Sequence, residues 1–114
     1  MAQSRWMDLS LEVDARAAHE LIAQDPAAVL LDVREPHEFA AGHIEGAKLI
    51  PLGQLESRLA ELPANRPVLC ICRSGARSLT ATRRLQVAGR IAKNLSGGML
   101  GWAEAGLPIR RGVE

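Results

Sequence analysis

Short apolar runs alternate with longer amphipathic stretches along the chain, and that alternation predicts its elements. Residues 29–33, Val-Leu-Leu-Asp-Val, form an apolar run too short for a helix and bounded by Pro26 and Pro36. Such a run reads as a buried strand. Residues 48–50, 68–71 and 91–94 are further short apolar runs of this kind, with 68–71, Val-Leu-Cys-Ile, the central one. The stretches between them carry helical spacing. Asp14 is a good N-cap for a helix running to about Gln24, with Ala17, Ala18, Leu21 and Ile22 on its apolar face and Asp25-Pro26 as the stop. Residues 36–41 predict a short helix begun by proline. Residues 52–62 predict a helix ended by Pro63, 79–88 a helix with Gly89 in the C′ position, and 100–105 a short helix ended by Gly106 and Pro108.

Strands alternating with helices imply an α/β domain whose sheet is mostly parallel and covered by helices on both faces. In such sheets ligands bind beyond the C-terminal strand ends. The 114 residues suit a single domain over 1–114, with no repeat, low-complexity segment or linker. Residues 1–6 and 110–114 are expected to fray. An apolar fraction of 47% and a charged fraction of 24% are those of a globular chain. No apolar stretch approaches the roughly 20 residues of a membrane span, and the first eight residues lack the apolar core of a signal peptide. Two cysteines make no disulfide framework. A chain that uses a thiolate fits a reducing compartment, so the expected location is cytoplasmic.

Net charge is +1, but it is unevenly spread. Residues 1–65 hold five basic and eleven acidic side chains, and residues 66–114 hold nine basic and two acidic. Either the basic half builds a positive field for an anion, or the two halves interleave in space and cancel. Nucleic acid is a poor partner, because one Phe, two Trp and no Tyr leave few bases a platform for stacking.

Within the basic half, Cys72 stands where the central strand gives way to a glycine-containing loop and then to a helix start. Free backbone N–H groups and the positive end of a helix dipole gather there. Such surroundings bring a cysteine pKa from about 8.5 into the range of about 3.5–7.5. The pattern predicts a thiolate nucleophile in an anion-binding cradle. Cys70, two residues earlier, reads as a small buried hydrophobe. A Cys70–Cys72 disulfide would be strained on one strand, and Cys-x-Cys without further cysteines or paired histidines is a weak metal signal.

The loop Cys72-Arg73-Ser74-Gly75-Ala76-Arg77-Ser78 resembles the active-site loop of the rhodanese family of sulfurtransferases. Leu30-Leu31-Asp32-Val33-Arg34-Glu35-Pro36-His37-Glu38-Phe39 and Gly42-His43-Ile44-Glu45-Gly46-Ala47, followed by Ile50-Pro51-Leu52, are similar to its first motif. Asn94-Leu95-Ser96-Gly97-Gly98 with Trp102 and Gly106-Leu107-Pro108 is similar to its C-terminal motif. The resemblance spans about residues 9–109 and implies a five-stranded, mostly parallel sheet flanked by helices. It also implies transfer of a sulfane sulfur. A small anionic donor such as thiosulfate would load Cys72 as a persulfide, and cyanide, a thiol or a protein would accept the sulfur. No cofactor and no metal are called for.

The loop residues have the chemistry for this. The amides of residues 72–77 can form a nest around sulfur. Gly75 permits positive φ and close approach of substrate. Ser74 and Ser78 can donate, Arg73 and Arg77 offer forked donors to an oxyanion, and Ala76 is counted with them as part of the substrate-binding loop. The plainer alternatives are that Ser78 caps a helix and Arg77 pairs with a structural carboxylate. Asp32 and Arg34 end a strand and either orient the loop from behind or form a structural ion pair, with Glu38 a possible third member. His43 is expected to satisfy loop backbone, His19 and His37 to lie on the surface, and Trp102 to join the core. Gly97-Gly98 should open a helix whose amides come near the loop.

Two other readings compete. Cysteine phosphatases and arsenate reductases use Cys-x5-Arg, whereas here the spacing is Cys-x4-Arg and no aspartic general acid is evident. A persulfide carrier that docks on a protein partner would use the same Cys72.

Overall fold

The computed structural model describes residues 5–8 and 10–113. Five strands, β1 (Glu12–Val13), β2 (Val29–Asp32), β3 (Lys48–Leu49), β4 (Val68–Ile71) and β5 (Ala92–Leu95), form one sheet in the order β1-β5-β4-β2-β3. Every pairing is parallel, beyond the mostly parallel sheet expected. β4 lies at the centre. Leu31 and Asp32 of β2 face its Cys70 and Ile71, and Asn94 of β5 faces Cys70 from the other side.

Side chains on β4 alternate between two cores, as period-2 geometry demands. Leu69 and Ile71 pack with Ala18 and Leu21 of α1 (Ala15–Gln24) and with Met99 and Trp102 of α4 (Gly98–Glu104). Val68 and Cys70 pack with Ala81 and Leu85 of α3 (Ala76–Val87) and with Leu55 and Leu62. Cys72 falls in this second cluster, so both cysteines share one face of the sheet. α2 (Pro36–Ala41) begins at a proline and carries a reciprocal cap between Glu35 and Glu38.

Several elements differ from the sequence reading. β1 was not foreseen, because two residues offer no periodicity; its pairing with Asn94 and Leu95 defines it. Residues 52–62 do not form an α-helix. They make two 3-10 turns, Leu52–Gln54 and Leu59–Glu61, with Leu55 bonding back to Leu52 and Leu62 to Leu59. Gly53 weakens helix propagation, and Ser57 Oγ donates to the Gln54 carbonyl at 3.0 Å and competes for the backbone. α3 begins three residues earlier than expected, at Ala76. β5 and α4 run over 92–95 and 98–104 rather than 91–94 and 100–105.

The ends are also more ordered than expected. Trp6 is 5% exposed, within the same core as Ala18 and Trp102. Arg110 exchanges two 2.8 Å backbone bonds with His43, and Gly112 donates to the Ala40 carbonyl. The expected fraying of residues 1–4 and 114 lies outside the described residues. Among those described, no helix is long and apolar enough to cross a membrane.

The charge asymmetry cancels in part in space. Lys93–Asp8, Arg77–Glu38, Arg84–Glu56 and Arg110–Glu45 each join the basic half to the acidic half. Lys93 is buried on β5, and its ammonium reaches the Asp8 carboxylate at 2.6 Å and the Ser10 carbonyl.

Replacing Trp6 with Ala is expected to lower stability by about 3 kcal/mol, the low end for a buried tryptophan. Urea unfolding reads this as a lower midpoint at unchanged slope. A midpoint equal to that of the parent would mean that this end is not docked.

Candidate active site

β4 ends at Ile71, and the next residue, Cys72, has no exposed surface. The chain then turns back over its sulfur. Gly75 sits at φ +103° and serves as N-cap of α3. That turn aims the Gly75 amide at Cys72 Sγ at 3.1 Å and the Ser78 amide at 3.4 Å, and the Ser78 hydroxyl donates at 3.2 Å. Burial on its own would raise the Cys72 pKa. The Ser78 hydroxyl, then the amides of Ser78, Gly75 and Ser74, outweigh burial and hold the thiol below its ordinary value.

Two carbonyls fix the start of the loop, and with it the direction of the Arg73 and Ser74 amides. The first turn of α4 has N–H groups without helical partners. Met99 donates to the Cys72 carbonyl at 2.9 Å and Leu100 to the Arg73 carbonyl at 3.1 Å. Gly98 makes the approach possible. A Cβ there would lie 2.4 Å from the Arg73 carbonyl oxygen and 2.5 Å from that of Cys72, and its φ is +57°. From below, Asn94 Nδ2 bridges the Gly75 carbonyl at 3.0 Å and the Glu12 carboxylate at 2.8 Å.

The two arginines diverge. Arg77 forms a forked pair with Glu38, both bonds 2.8 Å. The pairing with Arg77 lowers the Glu38 pKa to about 2, so that carboxylate stays charged. Arg73 is exposed and, among the described residues, has no carboxylate partner. Ser74 and Ala76 are exposed as well.

Asp32 and Arg34 form a buried structural pair. The Arg34 Nε donates to Asp32 at 3.0 Å, its terminal nitrogen at 2.8 Å, and the Arg34 amide caps the same carboxylate at 3.0 Å. Arg34 also donates to the Gly42 carbonyl at 2.7 Å. The pair fixes the turn into α2, and α2 carries Glu38 to Arg77. His43 Nδ1 lies 2.8 Å from the Phe39 carbonyl and its ring stacks on Phe39 at 3.7 Å. His37 is exposed, and exposed His19 meets the edge of buried Trp102. Cys70 is fully buried, and burial pushes its thiol up to about 12.

Sequence reasoning passed over Asn94 as a support of the loop and Glu38 as the partner of Arg77. Asn94 stood in a quoted motif, but only the pairing of β1 with β5 brings Glu12 beside it. Glu38 lies 39 residues from Arg77.

A parallel sheet that presents a cysteine loop at its C-terminal edge, with the thiol held below its ordinary pKa, defines an α/β domain built around that cysteine. The chain belongs to the rhodanese-like domain family, whose profile matches residues 14–105. It is 40% identical over 100 residues to a sulfurtransferase of Allochromatium vinosum, covering 86% of this chain and 92% of that one. A rhodanese-related protein from Thermoplasma volcanium superposes with a TM-score of 0.81 at 31% identity, covering 87% of this chain and 96% of that one. A thiosulfate sulfurtransferase from Pseudomonas aeruginosa superposes with a TM-score of 0.81 at 29% identity, covering 90% of this chain but 20% of the larger one.

Two outcomes follow. Ultraviolet titration of thiolate absorbance should show one thiol ionising below the usual value of about 8.5 and a second only near 12. Ser78→Ala should move the first upward while leaving the second in place; a first midpoint unaffected by Ser78→Ala would deny the hydroxyl its role. Gly98→Ala should cost more than about 2 kcal/mol, since left-handed backbone at a non-glycine residue adds to a backbone clash. The Cys72 midpoint should rise in whatever fraction still folds. Wild-type unfolding and titration curves for this variant would contradict the clamp.

Proposed function

We propose that the protein is a sulfurtransferase that moves a sulfane sulfur from thiosulfate or a similar anionic donor, through a persulfide on Cys72, to cyanide or a thiol acceptor. The reading takes residues 1–114 as one cytoplasmic domain working without a cofactor. The convergence of the Gly75 amide, the Ser78 amide and the Ser78 hydroxyl on Cys72 Sγ carries it.

The thiolate attacks the outer sulfur of thiosulfate, the S–S bond of the donor breaks, and its electron pair leaves with sulfite. Cys72 then bears a terminal sulfur with one negative charge, and the total charge is unchanged. Sulfite is a weakly basic leaving group, so no general acid is required at this step. Donors already aimed at sulfur stabilise the charge before and after transfer without reorganising.

The phosphatase reading loses ground on Arg77. A phosphoryl group needs donors around three equatorial oxygens, and the forked donor of Arg77 is engaged by Glu38. Transfer to a protein acceptor uses the same Cys72 chemistry and differs only in what takes the sulfur.

Intact mass after incubation of reduced protein with thiosulfate is expected to rise by one sulfur atom, and not at all in Cys72→Ser. Thiosulfate:cyanide transfer should exceed hydrolysis of an aryl phosphate by orders of magnitude. Comparable rates, both lost in Cys72→Ser, would favour the phosphatase reading instead.

A further inference from the structure

A groove of about 440 Å³ lies apart from the cysteine loop, between α3 and the 3-10 segment that precedes β4. None of residues 72–78 lines it. α3 serves both places: its first turn forms the cradle, and residues 83–88 near its other end line the groove. Ser78 and Val87 stand about 14 Å apart along that helix axis. The walls are apolar, Leu55 and Leu59 on one side and Leu85, Val87 and Ala88 on the other. Leu55 and Leu85 belong to the core, Leu59 is partly buried against it, and Val87 is 91% exposed. The floor is therefore core and the lip is open apolar surface, at a volume ordinary for small-molecule sites.

Three charged residues, Glu56, Arg83 and Arg84, complete the lining. Among the described residues Arg83 has no carboxylate partner, and Arg84 reaches only exposed Glu56, at 3.8 Å. An exposed pair at that distance holds little. The end of α3 does not engage the two guanidinium groups either. The amides of Ala88, Gly89 and Arg90 already tie off the carbonyls of Arg84, Gln86 and Leu85 at 3.1, 2.9 and 2.9 Å. Two forked cations beside apolar walls have the chemistry of a site for an amphipathic anion. A docking helix presents anchors at i, i+3, i+4 and i+7, more than the two leucines of one wall and the single turn of the other can receive.

We propose that this groove binds a small carboxylate with an apolar tail, of the medium-chain fatty acid class. The tail lies between Leu55, Leu59, Leu85 and Val87, and the removal of that surface from water drives binding. The carboxylate takes the forked donors of Arg83 and Arg84 and displaces Glu56 from Arg84. No bond forms or breaks, and Cys72 takes no part, so the site stands independently of sulfur transfer.

Calorimetric titration of the full chain with decanoate, octanoate, octanol and acetate tests this. Decanoate should bind once per chain, and octanoate, shorter by two methylene groups, about tenfold more weakly. Octanol should bind about fivefold more weakly than octanoate, and acetate not measurably. Arg83 and Val87 are exposed, so their variants should fold as the parent does. Arg83→Gln should weaken decanoate binding by about fivefold, and Val87→Asp should abolish it. Glu56→Gln removes the internal competitor and should tighten binding by about threefold. Cys72→Ser should bind as the parent does. Failure of the parent to bind decanoate, equal binding of octanoate and octanol, or an affinity indifferent to both Arg83→Gln and Val87→Asp would overturn the proposal. Light scattering of the ligand-free chain should show a monomer; a dimer that Val87→Asp splits would give the groove to a second copy and overturn it as well.

Discussion

The site depends on the direction of two carbonyl groups, those of Cys72 and Arg73. A peptide unit presents its N–H opposite its C=O, so holding these carbonyls on α4 turns the Arg73 and Ser74 amides the other way, and the Ser74 amide is one of the donors that lower the Cys72 pKa. The first turn of α4 does the holding, with N–H groups that a helix cannot satisfy internally. One exchange thus satisfies the helix start and shapes the anion cradle. Gly98 is the condition for it, since any side chain there would occupy the space of the two carbonyls.

Around that contact the polar groups are arranged for rigidity more than for direct catalysis. The Asp32–Arg34 pair is buried and bonded through both side chain and backbone. Removing one partner of such a pair leaves an uncompensated buried charge, a larger loss than the pair itself is worth. It fixes the entry to α2, α2 offers Glu38, and Glu38 holds Arg77 at the start of α3. Asn94 supports Gly75 from the neighbouring strand. Cys72 therefore receives fixed dipoles at close range, while the charge of Arg77 is paired with Glu38. Arg73 remains for whatever anion arrives from outside.

The two cysteines illustrate how far surroundings alone separate like groups. They lie two residues apart on one face of the sheet. Cys70 lies among apolar neighbours with Thr82 as its hydrogen-bond partner, and burial outweighs that bond and pushes it up to about 12. Cys72 is as buried by area, but hydrogen-bond donors reach its sulfur, and it moves the other way. Heavier desolvation at Cys70 and the greater number of donors at Cys72 together make the difference.

The alternation of apolar runs and amphipathic stretches determined the α/β class, the central position of Val68–Ile71 and the placement of Cys72 at a strand end, because burial on both faces imposes a composition that can be read locally. The spacing of Cys72, Gly75 and Ser78 likewise marked the cradle, since it is built within one turn of chain. The tertiary structure decided what local pattern cannot carry. Two-residue β1 exists through its pairing with β5, and residues 52–62 settled into 3-10 turns where a helix was expected. Arg77 turned to Glu38 rather than to the mouth of the loop, and Trp6 and the strap around Arg111 docked where fraying was expected. Each of these depends on a partner far away in sequence, and the free energy of such a contact is set by the geometry that brings the two together.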